Sequence, residues 1–266
     1  MGMKHHYSLR KIAAALSCIF IASVTFAGTS LTANAAATSI TRISGNTRYE
    51  TMGMVSRAAF LSAPPSKAAV VASGTDFPDA LAASSLAGHL NAPILLTDPK
   101  SLSNETANEL NRLDANAIFV IGGNKAVSHN VENEIRATHP SATITRLAGS
   151  TRFDTAHSIY NELATLGAKP QTAIISTGFN FADALSISPY SYMQSAPFFL
   201  SSQSGLDEAS LNTLRNFQTA IIVGGEQAVP TSVEQQLKSI GVSTVRIQGT
   251  TRYETSLEIG KFTLNN

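Results

Sequence analysis

From Ala68 onward, short runs of consecutive apolar residues alternate with longer stretches in which apolar positions recur every three or four residues. The first pattern is that of a strand buried on both faces, the second that of a helix with one buried face. Ala69–Ala72 predicts a strand closing on Ser73-Gly74. Pro78–Leu90 predicts a helix with Pro78 and Asp79 in its first turn, where a missing N–H and a negative charge both suit a helix start. Strands follow at Pro93–Thr97 and at Ala117–Ile121, the latter closing on Gly122-Gly123, with a helix at Asn104–Leu113 between them. Ser128 caps a helix reaching Thr138, and Ala142–Leu147 is a fourth strand. The order then recurs: strand Thr172–Ser176 closing on Thr177-Gly178, helix Phe181–Met193, strand Pro197–Ser201 and helix Leu206–Phe217. Strand Ala220–Val223 closing on Gly224-Gly225, helix Thr231–Ile240 and strand Ser243–Ile247 complete it. Strands alternating with amphipathic helices predict βαβ units and an α/β fold with parallel sheets.

A ten-residue signature punctuates this order three times: RISGNTRYET from Arg42, RLAGSTRFDT from Arg146 and RIQGTTRYET from Arg246. Arg, Gly, Thr, Arg and Thr hold the same places in all three copies, so the chain is a tandem repeat. Each copy reads as a strand, a glycine turn and a helix start, and a helix is expected from Tyr49 to about Leu61, ended by Pro64-Pro65. Counting a unit from the strand after a signature helix gives a linker with an N-terminal signature helix (36–65), a first unit (66–166) and a second unit (170–266). Two complete units then each close with their own signature helix. The last of these carries Leu257, Ile259 and Phe262 to cover a sheet face.

Residues 1–35 read differently. Lys4, Arg10 and Lys11 precede an apolar run from Ile12 to Ala27, and Ala33-Asn34-Ala35 is a small-x-small cleavage signal, so a leader cleaved after Ala35 is expected. The run is shorter than a bilayer-spanning helix needs, so no membrane association is expected after cleavage. Cys18, the single cysteine of the sequence, falls in the leader; the remainder can form neither a disulfide nor a thiolate metal site. Without the leader, 16 basic residues face 18 acidic ones, and a chain with 14% charged residues does not fit a nucleic-acid binder that relies on bulk charge. Affinity for an anion must come from where individual arginines sit.

In a parallel sheet the loops after the strands share the carboxyl edge, where open α/β proteins bind ligands. In the first unit that edge carries Ser73, Gly74, Asp76 and Asp79, then Gly122, Gly123 and Arg152. In the second unit it carries Gly178, Asp183, Gly224, Gly225 and Arg252, and Arg48 belongs to the same signature position. Glycine permits close backbone approach, helix N-termini present N–H groups, and an arginine can grip a phosphate or carboxylate through two bonds. The edge therefore reads as a polymer-binding track. The same residues also fit an internal lock in which Arg48, Arg152 and Arg252 pair with the acids to fasten one unit to the next, while Thr51, Thr155 and Thr255 act as caps. Both readings stand at this point.

No G-x-G-x-x-G follows a strand, and the sequence lacks a P-loop, H-E-x-x-H or G-x-S-x-G motif, so no cofactor and no catalytic residue is expected. His89, His129, His139 and His157 occupy unrelated repeat positions without metal-ligand spacing.

The signature, the Phe-x-Asp-Ala-Leu stretches ending at Leu81 and Leu185, Ile94-Leu95-Leu96 and the Ile121–Val127 run together resemble the cell wall binding repeat 2 family over essentially the whole chain after the leader. The resemblance implies tandem Rossmann-like or flavodoxin-like units, usually three about a pseudo-threefold axis. It also implies a secreted protein of Gram-positive bacteria, held without covalent attachment at the cell wall or cell surface. The implied partner is an anionic secondary wall glycopolymer or peptidoglycan, with no catalysis and no nucleic acid. The family's Ile-Leu-Leu element falls on Ile94, Leu95 and Leu96, and departs to Phe198, Phe199 and Leu200 in the second unit. With two units here, a homo-oligomer would complete the threefold arrangement. The alternative function is a wall hydrolase of the N-acetylmuramoyl-L-alanine amidase type, or its wall-targeting fragment.

Overall fold

Eight strands and ten helices alternate along the described residues of the computed structural model, which are 41–266. The expected leader, its cleavage after Ala35, Cys18 and the start of the linker lie outside them. Helix α1 (Arg48–Ala59) precedes a first sheet and its helices: β1 (Ala68–Ser73), α2 (Pro78–Ala82), α3 (Ser84–Leu90), β2 (Ile94–Thr97), α4 (Asn104–Arg112), β3 (Ala117–Ile121), α5 (His129–Thr138) and β4 (Thr143–Leu147). Helix α6 (Arg152–Thr165) leads to a second set: β5 (Thr172–Thr177), α7 (Ala182–Gln194), β6 (Phe198–Ser201), α8 (Glu208–Leu214), β7 (Thr219–Val223), α9 (Thr231–Ser239) and β8 (Ser243–Ile247). Helix α10 (Arg252–Asn265) ends the series.

Both sheets are four-stranded and wholly parallel, in the orders β2-β1-β3-β4 and β6-β5-β7-β8. The chain runs outward from β1 to β2, then returns to the other side for β3. The carboxyl ends of β1 and β3 thus flank the point where the order reverses, the usual ligand position in such sheets.

Alternation along the central strands sorts side chains into layers. Ala68, Val70 and Ala72 of β1 join Ile174 of β5, Leu86 and Ala87 of α3, Ile187 of α7 and Ile159 of α6 in one inner core. On the outer face of the first sheet, Ala69 and Val71 meet Leu110, Val131 and Ile135. On that of the second, Ala173 and Ile175 meet Leu214, Val233 and Leu237. Each fully buried Leu, Ile or Val of these layers is worth roughly 1.5–3 kcal/mol. Residues 42–266 form one compact body.

The inner core is closed by α3 crossing α7 at backbone contact. A Cβ added to Gly88 would stand 1.8 Å from the carbonyl oxygen of Tyr192. The Tyr192 hydroxyl reaches back across the crossing to donate to the carbonyl of Ala92 at 3.3 Å. The helix expected over 78–90 is divided at Ala83, whose ψ of −6° departs from helical geometry. Its counterpart α7 runs unbroken through Pro189. A proline there deprives the Leu185 carbonyl of its helical donor, and the Ser188 hydroxyl supplies one at 2.8 Å.

Two signature helices lie on the edge strand that follows them: α1 on β2 and α4, α6 on β6. Helix α6 also reaches back to α2 and α3, and α10 packs on α7 and β8. Helix α1 is fastened by Glu109 of α4, whose wholly buried carboxylate meets Arg57 of α1 at 3.1 Å and Arg112 at 2.7 Å. Arg112 in turn donates to the Phe60 carbonyl at 2.8 Å.

Candidate functional site

The central signature copy shows what each of its repeated residues does. Arg146, on β4, donates through Nη1 to the carbonyls of Gly122 and Val127 at 2.7 and 2.8 Å and pairs with Glu132, bracing the loop after β3. Gly149 admits the backbone of α6, because a Cβ there would meet the Cβ of Asp154 at 2.1 Å. Thr151 is the N-cap, accepting from the Asp154 N–H, and Asp154 returns the bond to the Thr151 N–H at 3.0 Å in a capping box. Thr155 accepts from the Gly149 N–H at 3.2 Å. The caps are therefore Thr47, Thr151 and Thr251, and the expected caps Thr51, Thr155 and Thr255 instead close the glycine turn. The distinction follows from position: only the residue before the first helical turn faces the unpaired amides.

The second signature arginine reaches forward. Arg48 donates through Nη1 to the carbonyl of Gly74, and Arg152 does the same to Gly178. The aromatic residue that follows lies over the same glycine: a Cβ on Gly74 would stand 2.4 Å from the Tyr49 ring, and one on Gly178 3.1 Å from that of Phe153. Arg252 and Tyr253 have no such glycine among the described residues, and Tyr253 is 81% exposed.

At the switch point of the first sheet these loops enclose a polar cleft of about 630 Å³, lined by Asp76, Asp79, Gly123, Lys125, Ser150 and Arg152 among others. Asp79, in the first turn of α2, presses its carboxylate toward the Gly-Gly loop: a Cβ on Gly122 would lie 2.4 Å from its Oδ2. Gly122 has φ +98°, so both its backbone and its neighbour require glycine. Gly123 faces open space. Burial, and then the adjacent Asp76 carboxylate, push Asp79 up to about 6 against the pull of Arg152. Arg152 Nη2 stands 4.0 Å from Asp76 Oδ2. Lys125, beyond the glycine pair, pairs with no carboxylate among the described residues. Lys125 lies two residues past the Gly122-Gly123 pair singled out in the sequence, and a lysine just past a strand-closing glycine pair is a readable signal.

In the second unit Asp183 repeats the arrangement, with a Cβ on Gly224 (φ +100°) falling 2.5 Å from its Oδ2. Burial raises the Asp183 carboxyl, and Arg252 opposes the rise. Gly225 is followed by Glu226 and Gln227, where the first unit has Asn124 and Lys125.

The other expected site residues lie elsewhere. Ser73 is buried, its hydroxyl 3.0 Å from that of Thr75. Arg48, Ile94 and Leu96 line a separate apolar groove of about 680 Å³ between α1, α2 and β2, while Leu95 is fully buried in the outer core. The structure thus gathers Asp76, Asp79, Gly123 and Arg152 in one cleft and leaves Arg48, Ser73, Gly74, Ile94, Leu95 and Leu96 outside it.

One constellation has the residue types of a hydrolytic triad: Ser210 Oγ is 2.9 Å and Asp207 Oδ1 3.8 Å from His157. Both approach the same ring nitrogen, Nε2, whereas a triad needs the acid on the other one. Asp207 also caps α8 through the Ser210 N–H at 2.6 Å, and Ser210 is 2% exposed. The group fastens α6 to α8. Among the described residues no group of three His, Cys, Asp or Glu side chains could hold a metal, and no helix is long and apolar enough to cross a membrane.

The chain is similar to the N-acetylmuramoyl-L-alanine amidase LytC of Bacillus subtilis (strain 168), with 30% identity over 94% of this chain and 48% of that one. It is also similar to the amidase enhancer of the same organism, with 32% identity over 83% of this chain and 29% of that one. It therefore spans about half the length of the first relative and under a third of the second. Among solved structures, Cwp6 from Clostridium difficile superposes with a TM-score of 0.77 at 26% identity, covering 84% of this chain and 35% of that one. Cwp8 from the same organism gives 0.74 at 30% identity, covering 82% and 36%. The description of Cell wall binding domain 2 (CWB2) matches residues 42–132 and 146–234, once for each sheet. With its two α/β repeats, the chain belongs to the Cell wall binding domain 2 family.

Proposed function

We propose that this chain is a secreted, non-catalytic anchor that holds an anionic glycopolymer of the Gram-positive wall. The observation that carries the reading is the polar cleft at the carboxyl edge of the first sheet, where Lys125, Arg152 and Asp79 converge in a chain of a wall-binding family. Cations there suit phosphate or carboxylate groups, and Asp76 and Asp79 suit sugar hydroxyls. A second edge on the other sheet would let weak sites act together. The similarity to Cwp6 and Cwp8 supports a wall location, and the basic, apolar and small-residue pattern of 1–35 supports export. We keep the division into units 66–166 and 170–266 as part of the same proposal. Half-exposed Val55 on α1, whose counterpart Ile159 on α6 is buried, supports a further unit from a second copy packing beside α1. Sedimentation velocity tests that association.

The test of the anchor is co-sedimentation of the chain with purified Gram-positive walls before and after acid stripping of secondary polymers. Binding lost on stripping supports the anionic polymer; binding that survives moves the target to peptidoglycan. A clearing zone in a wall-substrate zymogram would overturn the non-catalytic part.

A further inference from the structure

We propose that the two carboxyl edges are not equivalent: the first, whose cleft holds Lys125 and Arg152, takes the anionic group of the polymer, and the second, around Glu226, does not. This rests on the wall-polymer reading above and adds to it a division of labour between the repeats.

Position by position, the two edges keep their glycines and their buried acid and differ in charge. Asn124 and Lys125 of the first become Glu226 and Gln227 in the second, and Asp76 becomes Asn180. Two cations then face two acids in the first cleft, while at the second edge Arg252 acts on Asp183 and the glycine pair is followed by the acid Glu226. Lys125 and Glu226 are both exposed, so each meets an arriving ligand directly.

The signature acid sharpens the difference. In the third copy Glu254 is long enough to accept from the Thr250 N–H at 2.7 Å and from the Thr250 hydroxyl, which places a carboxylate on the loop amide. Glu50 does the same to the Asn46 N–H at 2.6 Å in the first copy. In the copy that borders the first cleft the acid is Asp154, one carbon shorter, and it bonds Thr151 instead. The Ser150 N–H is left without an acceptor among the described residues, on the wall of the same cleft. Lysine, arginine and a backbone donor thus lie at one edge, whereas at the other the lysine's place holds Gln227 beside Glu226 and the backbone donor is taken up by Glu254.

The test uses the full chain with amide-resolved NMR and three probes: glycerol 3-phosphate, glucuronate and glucose. Either anion should shift the amides of Lys125 and Ser150 and leave Gln227 and Thr250 unmoved; the stronger of the two anions identifies phosphate or carboxylate as the natural group. Lys125→Gln should weaken the response and the retention on walls about three- to tenfold. Gln227→Lys with Glu226→Asn should create a response at the second edge. Equal shifts at both edges, or wall retention unchanged by Lys125→Gln, would overturn the division while leaving wall binding intact. Failure of the unsubstituted chain to sediment with walls would instead remove the reading on which it rests.

Discussion

The guanidinium of Arg152 donates through Nη1 to the carbonyl of Gly178 while its Nη2 stands 4.0 Å from Asp76 Oδ2, so one side chain touches the loops after β5 and after β1. It borders the cleft and joins the two repeats at the same time. Arg152→Ala should therefore cost about 1.5–3 kcal/mol, the usual loss for a hydrogen bond to a charged group. Arg252→Ala, at an exposed position without a glycine carbonyl to bind among the described residues, should change stability by under about 0.5 kcal/mol. Urea unfolding of both variants decides this, and equal losses would show that the forward bond adds nothing.

Asp79 should make the protein less stable as pH rises through its titration. Its carboxyl is raised to about 6 in the folded chain, whereas an unfolded aspartate titrates near 4. Between those values the folded state holds more protons than the unfolded one, so stability is full below the lower value and falls until the upper is passed. The upper limit of the loss is about 3 kcal/mol at pH 7. Asp79→Asn should recover about 1–3 kcal/mol at pH 7 and flatten the slope between pH 4 and 6 in thermal melts across that range.

Glu109 should act in the opposite sense. Burial opposes its charge, but hydrogen bonds from Arg112, with the charges of Arg112 and Arg57, outweigh burial and hold its carboxyl below the usual range. Its contribution is present above the unfolded glutamate value and is lost as pH falls through the lower folded one. Glu109→Ala removes the acid from two partly exposed arginines and should cost about 1–3 kcal/mol. Protease cleavage within α1 should accelerate, since this carboxylate holds that helix to α4.

Gly88→Ala should be the most damaging single methyl. Alanine would favour the helix by about 1 kcal/mol, but the new carbon would enter the Tyr192 carbonyl. The backbones of α3 and α7 must part, and we expect a loss of about 3 kcal/mol or more, read as a lowered thermal midpoint. Gly167→Ala, with nothing within 4 Å, tests the specificity: its strain is confined to a φ of +88°.

Which parts of this could be read from residues alone follows from how local their causes are. The limits of β3, Ala117 and Ile121, are legible because its apolar run and closing glycines are adjacent in the chain. The end of α4 was placed within one residue for the same reason. The carbonyl partner of Arg152 is not legible: an arginine near acids suggests a salt bridge, which Asp76 supplies at 4.0 Å, but Nη1 also donates to a glycine carbonyl 26 residues ahead. Backbone acceptors have no residue identity to read. Glu109 was missed too, because an acid on an amphipathic helix looks solvated until α1 is laid over it. Lys125 is local to the glycine pair and so legible in principle, whereas the demand for glycine at Gly122 depends on Asp79 lying beneath it, 43 residues away in the chain.

The contact of Gly88 with Tyr192 also sets an order of events during synthesis. Helix α3 is complete long before α7 leaves the ribosome, with β2, β3, β4 and β5 still to be made between them. Until then Leu86 and Ala87, with the inner face of β1, have no partner across the crossing, and such uncovered apolar surface is where growing chains aggregate. The repeat made first is thus the one that must wait: its inner surface is finished by a helix belonging to the second, and a ribosome stalled between the two would hold a sheet with one side uncovered.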